Sequence, residues 1–364
     1  MPKTPPQTTP TLAKTATGNS KLPHHPQRRQ SAIPTDKMRN DLQTNFAKLL
    51  DAANGGKFAV VGHMRPDGDC VAAQFATAEL LRSRGASKVV CLNQNKIPHL
   101  YETLADGLEF TDAETFADTS FKIVLVDCSD LARANNALKE KFPEVFACID
   151  HHASGKSTAQ INIVDVEAGA TAEIIALAVG GLGLEISRQT ANLLFTGLAT
   201  DTRQFTTTST RKESFEAAQI LVNAGATPNA VAQELYQRER PAKMRLLSQY
   251  LSGLKFYCGN KVCFGFIPLG TFEKLGANKE DTEGLVDFAR SIDGVQIAAT
   301  LEELADGSVK GSMRGRLPNY EVNKIAEAFG GGGHLAAAGF TAKNETMQTI
   351  VPKLIGLCEK SLEK

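Results

Sequence analysis

Four clusters of ionisable residues, each closing an apolar run, carry most of the chemistry that this chain can offer. They are His63-Met-Arg-Pro-Asp67-Gly-Asp69, Asp127, Asp150-His151-His152 and Asp201. The runs before the first three, Phe58 to Val61, Ile123 to Val126 and Val145 to Ile149, read as short β-strands. The run before the fourth, Leu193 to Leu198, is open to a helical reading. Ligands and catalytic groups gather at the carboxyl ends of strands in open α/β sheets. Carboxylates and imidazoles collected there repel one another unless cations sit among them, so the pattern predicts a two-metal centre. Gly68 lets the chain bend so that Asp67 and Asp69 face different ions. Asp-Gly-Asp alone is common in surface loops, and so is a single Asp after a strand. Their conjunction with paired histidines after a buried strand is far rarer.

The elements needed to position these groups are legible along the chain. A helix begins near Asp41, with Leu42, Phe46, Leu49 and Leu50 on one face. Strand and helix patterns then alternate. Val71, Phe75, Ala78 and Leu81 mark a helix after the His63–Asp69 loop, Val89 to Leu92 a strand, and Ala172 to Val179 a crossover helix. Such alternation implies a doubly wound parallel sheet. Residues 211–252 read as helical and polar, a connecting segment. Strands at Leu254–Tyr257, Val262–Ile267, Val295–Leu301 and Ser308–Met313 follow, mixed with helices near Glu283–Ser291, Val322–Phe329 and Thr346–Leu357. The expected fold is therefore α/β, with a doubly wound N-terminal domain, a smaller C-terminal α/β domain and a cleft between them. The expected boundaries are a disordered tail at 1–40, a catalytic domain at 41–208, a helical linker at 209–252 and a substrate-binding domain at 253–364.

Length and composition bound the function. At 364 residues two cores are affordable, and 40 basic against 40 acidic residues give no excess of positive charge. A protein gripping many phosphates of a long polymer usually carries such an excess, so a small substrate is favoured. The seven cysteines form no CxxC pair, and four of them lie in or beside apolar runs, as buried thiols of a reducing, cytoplasmic setting do. No apolar stretch is long enough to span a membrane. The first 36 residues hold seven of the fifteen prolines and few large apolar groups, which is the composition of disorder.

The second domain carries its own constellation, Gly330-Gly331-Gly332-Gly333-His334 with Gly311-Ser312-Met313-Arg314 before it. Four glycines in a row would let backbone N–H groups turn toward an anion as a nest. His334 and Arg314 would add charge-assisted contacts to a phosphate. A helix C-cap and tight turn would need only one or two glycines. Asp165 and Glu173 read as solvated or capping, and Arg211 as part of a helix entry.

Together, HxxxDxD, the lone Asp after the next strand, the Asp-His-His triplet and Gly197-Leu-Ala-Thr-Asp201-Thr closely resemble the DHH phosphoesterase superfamily. The glycine–histidine segment resembles the mark of its DHHA1 subfamily. The resemblance covers roughly residues 42–360, and the compact two-domain length is similar to the nanoRNase and pAp phosphatase (NrnA-like) group. It implies that His63, Asp67 and Asp127 hold one ion, and that Asp69, His151 and Asp201 hold a second, with Asp127 bridging. Asp150 would orient a histidine, His152 would lie against the scissile phosphate, and Ser312, Arg314, Gly331, Gly332, Gly333 and His334 would bind substrate. Mn²⁺ suits the ligand set, with Mg²⁺ or Co²⁺ as substitutes. By family analogy the substrates are very short RNAs (about two to five nucleotides) and 3′-phosphoadenosine 5′-phosphate (pAp). A RecJ-like single-strand exonuclease, a cyclic-dinucleotide or pApA phosphodiesterase and a non-catalytic nucleotide sensor stay open as alternatives, as does homodimerisation.

Overall fold

A computed structural model describes residues 36–106, 109–152 and 157–363. Two compact units divide the chain, one ending at Leu235 and the other starting at Tyr236.

The first unit is built on six parallel strands: β1 (Lys57–Val61), β2 (Lys88–Asn93), β3 (Phe110–Asp112), β4 (Lys122–Val126), β5 (Ala147–Asp150) and β6 (Ile161–Val164). Their order is β3-β2-β1-β4-β5-β6, so successive crossovers run outward in opposite directions from the β1–β4 pair. This reversal creates the topological switch point at which open α/β sheets hold ligands. Strands buried on both faces read as unbroken apolar runs, and Phe58 to Val61 and Ile123 to Val126 are all at most 1 % exposed. The two short outer strands, β3 and β6, escape that rule because each is partly exposed.

Two helices deliver the site to this sheet. The helix Gly68–Ser83 is buried along nearly its whole length, its alanines allowing close packing against β2 and against the helix Arg188–Asp201. The second of these settles the segment before Asp201 as helical. Where the two helices meet, a Cβ on Gly197 would come within 2.7 Å of an Asp69 oxygen and 3.0 Å of its Cα. Glycine at 197 is thus what allows Asp69 to sit against the neighbouring helix.

Two boundaries differ from the sequence reading. The first helix starts at Asp36, not Asp41, because Arg39 reaches across to both carboxylate oxygens of Glu216. Residues 1–35 of the expected disordered tail lie outside the described residues. The expected linker at 209–252 is not a free-standing segment either. Helix Lys212–Asn223 puts Ala217 and Leu221 into the first core, while helix Pro241–Ser252 puts Leu246 and Tyr250 into a core of the second unit. Apart from Glu213, which is buried, their charged residues lie mostly on the outer faces, which is why a polar composition concealed two packed helices.

The second unit holds a mixed sheet of β7 (Lys255–Tyr257), β8 (Val262–Ile267), β9 (Ile297–Glu303), β10 (Val309–Gly315), β11 (Gly332–His334) and β12 (Ala337–Ala342). Its order is β11-β12-β10-β9-β8-β7, with β8 and β9 parallel and the other pairs antiparallel. Val309 and Met313 point from β10 into a core shared with Ile350, Leu354 and Cys358 of the C-terminal helix Met347–Leu362.

Candidate metal centre

Groups from four parts of the first unit meet beyond the ends of β1, β4 and β5. His63 follows β1, and Asp67 caps the helix Gly68–Ser83, its Oδ1 accepting the N–H groups of Asp69 and Cys70. Asp127 follows β4 with φ = 57°, a left-handed conformation that costs an ordinary residue but that Asp tolerates. Its own N–H is secured by the Ile149 carbonyl at 2.9 Å. Asp150 ends β5 and is followed by the two histidines. Asp201 is the last residue of its helix.

Asp127 stands in the middle. Its Oδ2 lies 3.3 Å from His63 Nε2, and its Oδ1 lies 3.6 Å from His151 Nε2. Each oxygen of one carboxylate therefore faces a different imidazole. His63 Nε2 is also 3.8 Å from Asp67, while His151 Nε2 is 3.9 Å from Asp69 and 3.4 Å from Asp201. The six residues expected to bind metal are thus gathered around one point.

The imidazole tautomers are set from behind. His63 Nδ1 sits 2.8 Å from the Met64 carbonyl and His151 Nδ1 sits 3.2 Å from the Ala168 carbonyl. A carbonyl can only accept, so both Nδ1 atoms donate and both Nε2 atoms turn toward the carboxylates. His151 Nε2 is buried and has no hydrogen-bond partner among the described residues. A buried polar atom without a partner is costly, and the missing partner here faces three carboxylates. A divalent cation held among these groups would meet that requirement.

Electrostatics lead the same way. Burial pushes the Asp69 carboxyl well above its usual range, with the Asp127 and Asp201 carboxylates adding to the shift. Asp201 is likewise raised, by burial first and by Asp67 and Asp127, although its contact with His151 opposes the shift. Burial works against charge on His151, yet Asp201, Asp69 and Asp127 outweigh it and push the imidazole up to about 10. His63 is raised in the same manner by Asp127 and Asp67 against burial. The cluster lacks positive charge and retains protons to supply it.

Asp150, fully buried, and His152 form a pair beside these groups, with His152 Nδ1 3.7 Å from Asp127 Oδ1. His152 Nδ1 donates to Asp150 Oδ1 at 2.8 Å, its N–H reaches the same oxygen at 3.1 Å, and Ser129 donates to the other oxygen. Although burial opposes charge on Asp150, these bonds hold its carboxyl below the usual range. A third of the His152 side chain stays exposed.

Several residues at this centre escaped the sequence reading. Thr171 donates its N–H to Asp69 Oδ2 at 2.6 Å and its hydroxyl to Asp127 Oδ1 at 2.9 Å, and the Ala172 N–H reaches Asp69 Oδ1 at 2.9 Å. Cys70 was read only as a buried thiol, yet its Sγ clusters with His63 and Asp127 within 4.8 Å. No short motif signals either residue. Asp165 and Glu173, expected to be solvated or capping, do accept the Glu167 and Gly169 N–H groups, but they are 4 % and 0 % exposed and both pair with Arg211. Neither charge was visible as buried because its partner lies 38 or more residues away.

In the second unit, the glycine segment departs from the expected anion nest. The N–H groups of Gly330 and Gly331 donate to Glu327 and Ala326, closing the helix Val322–Glu327, with Gly330 at φ = 75°. A Cβ on Gly331 would lie 2.1 Å from the Gly339 carbonyl oxygen, and one on Gly333 would lie 2.6 Å from that of Ala337. Helix capping and tight strand packing are enough to require glycine at these three positions. Gly332, by contrast, has open space where its Cβ would be. Paired residues of adjacent strands share a face, so Arg314, Ala337 and His334 form one row and Ser312, Gly339 and Gly332 the next. Arg314 and Ser312 also line a cavity of about 140 Å³, while His334 is exposed on the outer strand.

Comparison with known proteins agrees with both halves. Residues 57–198 match the family model for the DHH family, N-terminal domain, and residues 259–360 match the DHHA1 domain. The bifunctional oligoribonuclease and PAP phosphatase NrnA of Thermus thermophilus is 26 % identical over 318 residues, covering 87 % of this chain and 94 % of that protein. The protein of the same name from Bacillus subtilis is 24 % identical over 308 residues, covering 82 % and 93 %. Among solved structures, an exopolyphosphatase-related protein from Bacteroides fragilis shares the fold, with a TM-score of 0.77 at 23 % identity over 89 % of this chain and 96 % of that one. With both family models matched in order along one chain, and with the fold shared, this protein belongs to the DHH/DHHA1 family of phosphoesterases.

Proposed function

We propose that the chain is a Mn²⁺-dependent phosphohydrolase that degrades very short oligoribonucleotides to mononucleotides and converts pAp to AMP. The observation that carries the reading is the buried Nε2 of His151, which has no hydrogen-bond partner among the described residues and faces Asp69, Asp127 and Asp201 at 3.4 to 3.9 Å. His63, Asp67 and Asp127 would hold one ion and Asp69, His151 and Asp201 the second, with Asp127 shared between them. Imidazole and carboxylate ligands together suit Mn²⁺, with Mg²⁺ or Co²⁺ as substitutes. Bound there, two divalent cations supply Lewis-acid polarisation of a phosphoester and the means to deprotonate water near neutral pH.

The remaining work falls to the chain's own groups. The Met64 and Ala168 carbonyls hold His63 and His151 in the tautomer that presents Nε2. Asp150 fixes the His152 ring through Nδ1, and His152 would lie against the scissile phosphate. In the second unit, Arg314, Ser312 and His334 would bind a phosphate or nucleotide remote from the bond being cut, with Gly332 allowing close approach. The amides of Gly330 and Gly331, already engaged by the helix, take no part. The substrate class follows the printed names of the Thermus and Bacillus relatives, both bifunctional oligoribonucleases and PAP phosphatases.

The test is a parallel assay of purified protein with Mn²⁺ on pAp, pApA, a labelled RNA 5-mer and a 30-mer single-stranded DNA. Turnover of pAp and the 5-mer well above the 30-mer is expected. Preference for the 30-mer would replace this reading with a processive exonuclease.

A further inference from the structure

Three buried charges beside the centre have no part in the chemistry above. Arg211, whose side chain is 12 % exposed, inserts between Asp165 and Glu173. Its Nε donates to Glu173 Oε1 at 2.6 Å and its Nη2 donates to Asp165 Oδ2. Glu173 Oε2 also accepts the Gly169 N–H at 3.1 Å and the Ser214 hydroxyl at 2.5 Å. Arg211 Nη1 has no hydrogen-bond partner among the described residues; Asp165 and Glu173 take its side-chain hydrogen bonds, and Glu213 Oε2 lies 3.8 Å from Nε.

What these charges enclose is the stretch 165–173, which meets the centre at four points. The Ala168 carbonyl holds His151 Nδ1, the Thr171 and Ala172 N–H groups hold both oxygens of Asp69, and the Thr171 hydroxyl holds Asp127. The stretch is pinned at its start by Asp165 and at its end by Glu173, and Arg211 joins the two. A Cβ on Gly169, midway along, would fall within 3.3 Å of Thr202, Glu173 and Ser214, so little room for adjustment exists.

We propose that Arg211 is a positioning residue for the metal centre, acting through Asp165 and Glu173 on the stretch that orients His151, Asp69 and Asp127. The proposal rests on the reading of that cluster as a metal site. Arginine suits the role because its planar fork offers separate N–H groups to two carboxylates, whereas a lysine ammonium is a single point of charge. Without Arg211, two buried carboxylates lose their counter-charge beside an anionic cluster. The stretch 165–173 must then shift or take up a proton, and the four contacts shift with it.

Mn²⁺ titration of the full chain by calorimetry, with unfolding followed in parallel, separates the outcomes. Wild type, R211Q, R211K and K212A are compared, Lys212 being a largely exposed neighbour. Loss of outer partners to metal ligands typically weakens metal binding about 10- to 100-fold, and R211Q should fall in that range with R211K between it and wild type. K212A should match wild type. A purely structural Arg211 would lower the unfolding midpoint of R211Q and leave the Mn²⁺ affinity of the folded protein unchanged, which would overturn the proposal. Should R211Q fail to fold, R211K decides, and wild-type affinity in R211K overturns it as well. If wild type itself takes up no Mn²⁺, the metal-centre reading fails, which is a different result.

Discussion

Two motifs of comparable density, His63–Asp69 with its partners and Gly330–His334, meet opposite fates in the folded chain. In the first unit the side chains named by the motif converge, and a nitrogen of His151 at their centre has no hydrogen-bond partner among the described residues. In the second unit most of the glycines are taken up by the fold. Gly330 and Gly331 cap a helix, while Gly331 and Gly333 admit close strand contact. Imidazole and carboxylate groups announce their chemistry through residue type, so spacing alone exposes them. A glycine announces only that a side chain is absent, and helix end, tight hairpin and anion cradle all require that absence.

That contrast can be broken by substitution. Asp127→Ala should have the largest effect, since it removes the group facing both imidazoles. Turnover should fall on the order of 10⁴-fold, the scale seen when one member of an interdependent catalytic group is deleted. Turnover near wild type in a steady-state assay would refute the bridging role.

In the glycine segment, Gly331→Ala should destabilise the second unit by about 1–3 kcal/mol, because its Cβ would overlap backbone that no side-chain rotation can relieve. Gly332→Ala, with open space around it, should change stability by no more than about 0.5 kcal/mol. Equal denaturation midpoints for the two variants would contradict the packing account. His334→Ala should raise KM severalfold with Mn²⁺ stoichiometry unchanged, and loss of bound metal would count against a substrate-binding role.

A gentler probe is pH. His63 and His151 have raised pKa values, so in the metal-free protein both stay largely protonated at neutral pH. Each must release its proton to accept a cation, and Asp69, also raised, must do likewise. Mn²⁺ affinity should therefore rise as pH increases from 5 to 8, with net proton release at pH 7. Calorimetry in two buffers of different ionisation enthalpy would read that release, and its absence would contradict the electrostatic picture.

Much of the first unit was legible in the sequence because β1, β4 and β5 are buried apolar runs that end in polar residues. The edge strands β3 and β6 were missed, being short, partly exposed and without a clear period. Strand β12 was hidden by its small residues, Ala337, Ala338 and Gly339, which carry little of the β-branched or aromatic signal of a strand. All six expected ligands meet, whereas Thr171 and Arg211 could not be found, since a threonine or arginine in a helix entry looks alike with or without a distant carboxylate beside it.

Anomalous diffraction from a crystal of the full chain grown with Mn²⁺ would test the central claim most directly. Two peaks are expected, one beside His63 and Asp67 and one beside Asp69, His151 and Asp201, with Asp127 reaching both. A pocket empty of manganese at saturating concentration, or ions bound only elsewhere on the molecule, would contradict the account.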